Sequence, residues 1–201
     1  MLTPQTFYFL RHGETDWNQR RIIQGQTDVE LNATGLAQAA AVKARVESLP
    51  IMTICCSPLL RARRTMETVN ALMAKPVLFI SDLMECHLGI YQGHPSNGEW
   101  RDPWIAGGPM PGGETFAEYT ARVIRGFNQA LTHPGPVLAI GHGGNFWALE
   151  HYGLIGPGTR VTNCSLFKLD PPSNDSKFWT VTQLAAPEGP ALAIGEGGAA
   201  L

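Results

Sequence analysis

The chain has 201 residues, 44% hydrophobic and 16% charged, with a formal net charge of −2 at pH 7. That length suits one domain with a sizeable core, and the composition excludes wholesale disorder. Without a long basic or acidic run, general nucleic-acid binding is excluded, and any anionic ligand must be held by a local cluster of Arg and His.

The N-terminus shows no basic segment followed by a long apolar stretch, and no window approaches a membrane span. The expected location is therefore cytoplasmic, with no membrane partner. Cys55, Cys56, Cys86 and Cys164 form neither a C-x-x-C pair nor a disulfide framework, and Cys55 and Cys56 read as small buried hydrophobes.

In chain order, short apolar runs alternate with helical patterns, which predicts an α/β fold on a mostly parallel sheet. Phe7, Tyr8, Phe9 and Leu10 read as a buried first strand. Asn32 is placed to cap an Ala-rich helix over residues 33–48. Residues 51–56 read as a second strand, and Ser57-Pro58 has the form of a helix start, with Ser as cap and Pro in the first turn. That helix is expected to reach residue 73, and residues 77–80 form a third strand.

Residues 94–113 are rich in Gly, Pro and Trp without a clear period, and are expected to form a lid insertion rather than core. Thr115-x-x-Glu118 matches a capping box opening a helix to residue 131, with Phe116, Tyr119, Val123, Phe127 and Leu131 on its sheet-facing side. A strand over 137–140 leads into a Gly-rich turn and a helix from near Asn145. Residues 161–169 and 178–184 read as closing strands or a hairpin. The expected domain is 1–186, followed by a loosely held Gly/Ala-rich tail over 187–201.

Three turns that follow predicted strands carry the reactive side chains: Arg11-His12-Gly13-Glu14, Ser57-Pro58-Leu59-Leu60-Arg61 and Gly141-His142-Gly143-Gly144. Ligands of open α/β sheets bind outside the carboxyl ends of the strands, so the three turns are placed to converge. Together they supply two Arg and two His, with Glu14 the one acidic residue in the turns. Such a cluster suits a phosphoryl group, because guanidinium forks match its oxygens and helix N-termini add backbone donors. The Gly141 turn lacks the G-x-G-x-x-G register of a dinucleotide loop.

With these residues in view, the chain resembles the histidine phosphatase superfamily, which includes the cofactor-dependent phosphoglycerate mutases. The resemblance rests on Arg11-His12-Gly13-Glu14-Thr15-x-Trp17-Asn18, Gln24-Gly25-x-x-Asp28, Ser57-Pro58-Leu59-x-Arg61-Ala62-x-x-Thr65, Leu83-x-Glu85, Pro111-Gly112-Gly113-Glu114-Thr115 and His142-Gly143-Gly144, in the family's order. It implies a three-layer sandwich with a mostly parallel central sheet flanked by helices. It also implies His12 as the nucleophile that becomes phosphorylated, with Arg11, Arg61 and His142 around the phosphoryl oxygens. Asn18 and the Gly143 backbone match further phosphate contacts, and Gln24 and Gly25 match a loop reaching over the substrate.

Glu85 corresponds to the general acid. A carboxyl group donates a proton near neutral pH only where its surroundings disfavour its charge, as burial beside an apolar lid does. His87 stands close to Glu85 and is either pocket-lining or superficial; His94, His133 and His151 have no motif support. No cofactor and no metal are expected, because the Arg/His clamp supplies the positive charge.

The resemblance covers phosphatases and mutases alike. A mutase needs a second basic cluster and a closed lid, yet between Glu85 and Ala121 the basic side chains are only Arg101, His87 and His94. The stretch from Glu85 to His142 is also shorter than in the mutase branch. The expected activity is therefore hydrolysis of a small phosphomonoester. Mutase-type transfer, a protein-directed phosphatase and a non-catalytic regulatory module stand as alternatives. Tyr91, Trp100, Trp104, Ile105 and Met110 either stack on a substrate ring or pack the lid down. Gly141 stands where the family commonly has Ser, which is expected to loosen the turn or remove a hydroxyl from the pocket edge. The residues allow a homodimer without specifying one.

Overall fold

The computed structural model describes residues 1–173 and 176–186. The expected tail over 187–201 lies outside the described residues. The elements are β1 (Phe7–Arg11), α1 (Asp16–Gln19), α2 (Ala33–Glu47), β2 (Thr53–Cys56), α3 (Leu60–Asn70), β3 (Val77–Phe79), α4 (Arg101–Ile105), α5 (Phe116–Ala130), β4 (Val137–Gly141), α6 (Gly143–His151), β5 (Leu166–Asp170) and β6 (Thr180–Ala185). The strands form one sheet in the order β3-β2-β4-β1-β5-β6. Strands β3, β2, β4 and β1 are mutually parallel, while β5 runs against both its neighbours.

Both faces of the sheet are covered, which explains why the inner strands read as continuous apolar runs rather than alternating ones. Successive side chains still point to opposite faces. Phe7, Phe9, Cys55, Val137, Ala139, Phe167 and Leu169 join one apolar cluster with Tyr119, Val123 and Phe127 of α5 and Phe146 of α6. Tyr8, Leu10, Ile54, Cys56, Leu138, Ile140 and Leu166 join the other with Ala39 and Val42 of α2 and Ala62 and Met66 of α3. The result is the expected three-layer α/β sandwich. Strand β3, at the sheet edge, is only partly covered, and Phe79 lies exposed beneath the Arg63 guanidinium.

Several boundaries differ from the sequence reading for identifiable reasons. The short α1 was not anticipated; Thr15 caps it and Asn18 returns the bond, a reciprocal pair compressed into four residues. Helix α3 begins at Leu60 rather than at Ser57-Pro58. Its N-terminal donor, the Leu60 N–H, is accepted by Asp28 Oδ1 at 2.6 Å, a cap supplied by another loop and invisible to local pattern. Helix α6 starts at Gly143 rather than near Asn145.

The lid segment is not a loose loop. It contains α4, and Trp100, Trp104 and Met110 belong to the core on the α5 side. Trp104 is 1% exposed and donates its indole N–H to the Glu114 carbonyl at 2.9 Å. Its ring packs against Phe116, Tyr119 and Trp147. Packing accounts for Trp104, whose N–H is satisfied, and Trp100 and Met110 are buried in the same cluster.

Candidate active site

The carboxyl ends of β1 and β4 lie side by side, with Arg11 paired to Gly141. β1 leads through α1 and α2 to β2, while β4 leads through α6 to β5, so the two paths leave towards opposite edges of the sheet. A crevice opens where neighbouring strands diverge in this way. His12 and His142 follow directly, both buried, with ring centroids 5.2 Å apart.

His12 is held at both ends of the residue. Its backbone N–H donates to the Gly141 carbonyl at 3.0 Å, and its Nδ1 lies 2.7 Å from the Gly13 carbonyl. A carbonyl only accepts, so Nδ1 carries the hydrogen and Nε2 keeps its lone pair when the ring is neutral. Burial, reinforced by the Arg61 and Arg11 cations, holds the His12 ring well below the ordinary histidine range. Burial acts in the same way on His142, with Arg61 and His12 adding to it.

The two guanidiniums are almost fully covered. Arg61 donates to the Gly25 carbonyl at 2.7 Å and the Thr27 carbonyl at 3.0 Å, and burial pulls it down to about 10, still cationic at neutral pH. Arg11 donates to the Val161 carbonyl at 2.7 Å. The Nε atoms of both, His142 Nδ1 and Gln24 Oε1 are buried without a protein partner among the described residues. Buried polar atoms are seldom left so. Three of these four atoms are arginine or histidine nitrogens, a set fit for oxyanion oxygens.

Asn18 Oδ1 accepts from Thr15 and Asn163, which fixes the carboxamide against the His12 turn. Gly25 has φ 52°, and a Cβ there would overlap the Gln92 side chain, so the residue that presents its carbonyl to Arg61 has no room for a side chain. Gly143 opens α6 with a backbone N–H that has no intrahelical acceptor. A Cβ on it would lie 3.4 Å from Arg11 Cζ, which places the two together.

Glu85 is buried behind this cluster. Tyr119 Oη and the Cys86 N–H each donate to Glu85 Oε1 at 3.0 Å, and the Gly144 N–H donates to Oε2 at 3.3 Å. Arg122 donates to the carbonyls of Asp82, Met84 and Glu85 and forms a forked pair with Glu114. The Pro111-Gly112-Gly113-Glu114-Thr115 motif thus braces the Glu85 segment from behind.

Arg11, His12, Asn18, Gln24, Gly25, Arg61, Glu85, His142 and Gly143 are brought to this end of the sheet. His87 lines a surface cleft with Glu114, Glu118, Arg122 and Arg125. His94 and His151 are exposed, and Glu14 turns away to accept from Asn32. Among the described residues, no group of three or more His, Cys, Asp or Glu is arranged to hold a metal ion.

Sequence reasoning missed five contributors. Ser57, read as a helix cap, accepts the Leu59 N–H at 3.4 Å and also places Oγ 2.7 Å from His142 Nε2. Thr65 accepts the Gly13 N–H, and Asn163 donates to the His12 carbonyl, both at 3.0 Å. Tyr119 fell within an apolar stripe that gave no hint of its hydroxyl. Asn145 corrects the expectation for Gly141. A Cβ on Gly141 would lie 2.2 Å from Asn145 Oδ1, which accepts the His142 N–H at 2.7 Å. The turn is not loosened, because a carboxamide from α6 fills the space of the missing side chain.

A family model described as the histidine phosphatase superfamily (branch 1) matches residues 7–182. The chain is 38% identical over 143 residues to the uncharacterized phosphatase PhoE of Bacillus subtilis, covering 70% of this chain and 72% of that one. It is 34% identical over 179 residues to the probable phosphoglycerate mutase GpmB of Salmonella choleraesuis, covering 81% and 83%. Among solved structures, it is similar to the mycobacterial glucosyl-3-phosphoglycerate phosphatase complexed with VO3, with a TM-score of 0.70, 26% identity, and coverage of 92% and 100%. With the motif residues gathered at one end of this sheet and the family match spanning nearly the whole fold, the chain belongs to the histidine phosphatase superfamily.

Proposed function

We propose that the protein hydrolyses a small phosphomonoester through a phosphohistidine on His12. The observation that carries this reading is the set of buried nitrogens without a partner among the described residues, Arg11 Nε, Arg61 Nε and His142 Nδ1, beside a neutral imidazole whose Nε2 takes no hydrogen bond among them. In the first step His12 Nε2 attacks phosphorus and the P–O ester bond breaks. Glu85 supplies the proton to the departing oxygen. In the second step water attacks phosphorus, the N–P bond breaks, and the water proton passes to Glu85. The arginines and His142 balance the charge spread over the equatorial oxygens in both steps.

Hydrolysis is favoured over mutase transfer by the poverty of further cations. Arg101 of the lid is paired with Asp102, and His94 is exposed, so no second basic cluster is present among the described lid residues. The names of PhoE and the mycobacterial phosphatase point the same way, whereas that of GpmB does not.

The test is a panel of sugar, nucleotide and cofactor-precursor phosphates, assayed with and without bisphosphoglycerate, together with acid-labile phosphoenzyme trapping. The wild type is expected to release phosphate without the bisphosphate and to form the phosphoenzyme; His12→Ala abolishes both. Retained labelling in His12→Ala, dependence on the bisphosphate, or a strict metal requirement overturns the reading.

A further inference from the structure

We infer that Tyr119 is the positioning residue for the acid, fixing the Glu85 carboxyl so that Oε2 is the oxygen that carries the transferred proton. The inference rests on the phosphohistidine reading above, in which Glu85 protonates the leaving group. Its basis is an asymmetry in the carboxyl's surroundings. Oε1 takes two donors at 3.0 Å, from Tyr119 Oη and the Cys86 N–H, whereas Oε2 takes only the 3.3 Å contact from the Gly144 N–H. Oε2 therefore keeps the lone pair on which a proton is held and from which it is given up.

Three features keep Tyr119 in this role. The side chain is fully buried, and its ring is packed against Trp104 and covered by the Arg122 guanidinium, 5.2 Å from the ring centroid. Burial raises the phenol well above the ordinary tyrosine range, so the hydroxyl remains a neutral donor wherever the enzyme works. Gly144 supplies the space: a Cβ there would lie 2.2 Å from Glu85 Oε1 and 2.4 Å from Tyr119 Oη. Only glycine at that position lets the phenol, the carboxyl and the helix N-terminus meet.

A residue that merely filled volume would, on substitution, depress the turnover of every substrate alike. One that orients the acid affects esters according to how badly their leaving group needs a proton. The measurement is kcat/KM, which reports the steps up to phosphohistidine formation, for alkyl phosphates and for p-nitrophenyl phosphate. Tyr119→Phe is expected to lower the alkyl value roughly tenfold more than the aryl value, the equivalent of one hydrogen bond to a charged group. In a Glu85→Ala background the same substitution is expected to add nothing to the leaving-group dependence.

Gly144→Ala is expected to reproduce the signature, and serves as the test should Tyr119→Phe fail to fold. Equal losses on both ester classes, or no loss in a folded variant, overturn the role of Tyr119. Failure of the wild type to hydrolyse any ester would instead overturn the underlying reading.

Discussion

At the scale of single residues, the site is built from atoms whose partners lie far away in sequence. His142 illustrates this through its ring, which meets Ser57 85 residues away, while its N–H is accepted locally by Asn145. Gly141 has to remain small because the Asn145 carboxamide occupies its side-chain space, backed by Phe9. Gly141→Ser is accordingly expected to destabilise the protein by about 1–3 kcal/mol, the range for overpacking a closed interior. It should also reduce activity through a displaced His142. Combining it with Asn145→Ala is expected to cost less than the sum of the single changes, since the serine hydroxyl then has room to accept the His142 N–H. Thermal melts and kcat/KM of the four proteins check this; strict additivity would contradict the shared-space account.

At the scale of elements, α3 shows how a loop can complete a helix. Leu59 at its N-cap offers no side-chain acceptor, and Asp28 reaches in to accept the Leu60 N–H. The same loop presents the Gly25 and Thr27 carbonyls to Arg61 in the first turn of α3. Capping and cation placement are therefore one contact region. Asp28→Ala is expected to lower stability by about 1 kcal/mol, the usual loss on removing a side-chain cap. It is also expected to raise KM for phosphate esters more than it lowers kcat, measured on the refolded variant. Asp28→Asn, which keeps an acceptor oxygen, is expected to restore most of both. Ser57-Pro58 has the form of a helix start, yet the serine hydroxyl is shared between the Leu59 N–H at 3.4 Å and His142 Nε2 at 2.7 Å.

At the scale of the whole molecule, two buried histidines link folding to pH. Both rings are held well below the ordinary histidine range. In the unfolded chain each binds a proton near pH 6.5, so below that pH the unfolded state carries more protons than the folded one. The stability they allow is fully present above about pH 6.5 and falls as pH drops, by up to ~1.4 kcal/mol per pH unit for each histidine. Denaturant unfolding between about pH 7 and pH 5.5 is expected to show this slope. His142→Gln is expected to reduce it by about half, and an unchanged slope would remove His142 from the linkage.

Much of the molecule is legible in its sequence. Hydrophobic runs at strand length, the Asn32 and Thr115 caps and the apolar stripe of α5 follow from local stereochemistry, so the α/β layering could be read directly. The strand-end turns point to Arg11, His12, Arg61 and His142 because their residue types and order are local facts, whereas Glu85 stands out only through the family resemblance. What only the tertiary structure decided is which groups face each other across gaps in sequence: Ser57 with His142, Asp28 on α3, and Tyr119 on Glu85 through the opening left by Gly144. The lid tryptophans belong to the same class, since a Trp in a Gly/Pro-rich stretch reads identically whether it stacks on a ligand or fills a core. Periodicity records what one element needs to bury; the partner that satisfies a buried polar atom is chosen only when the layers close.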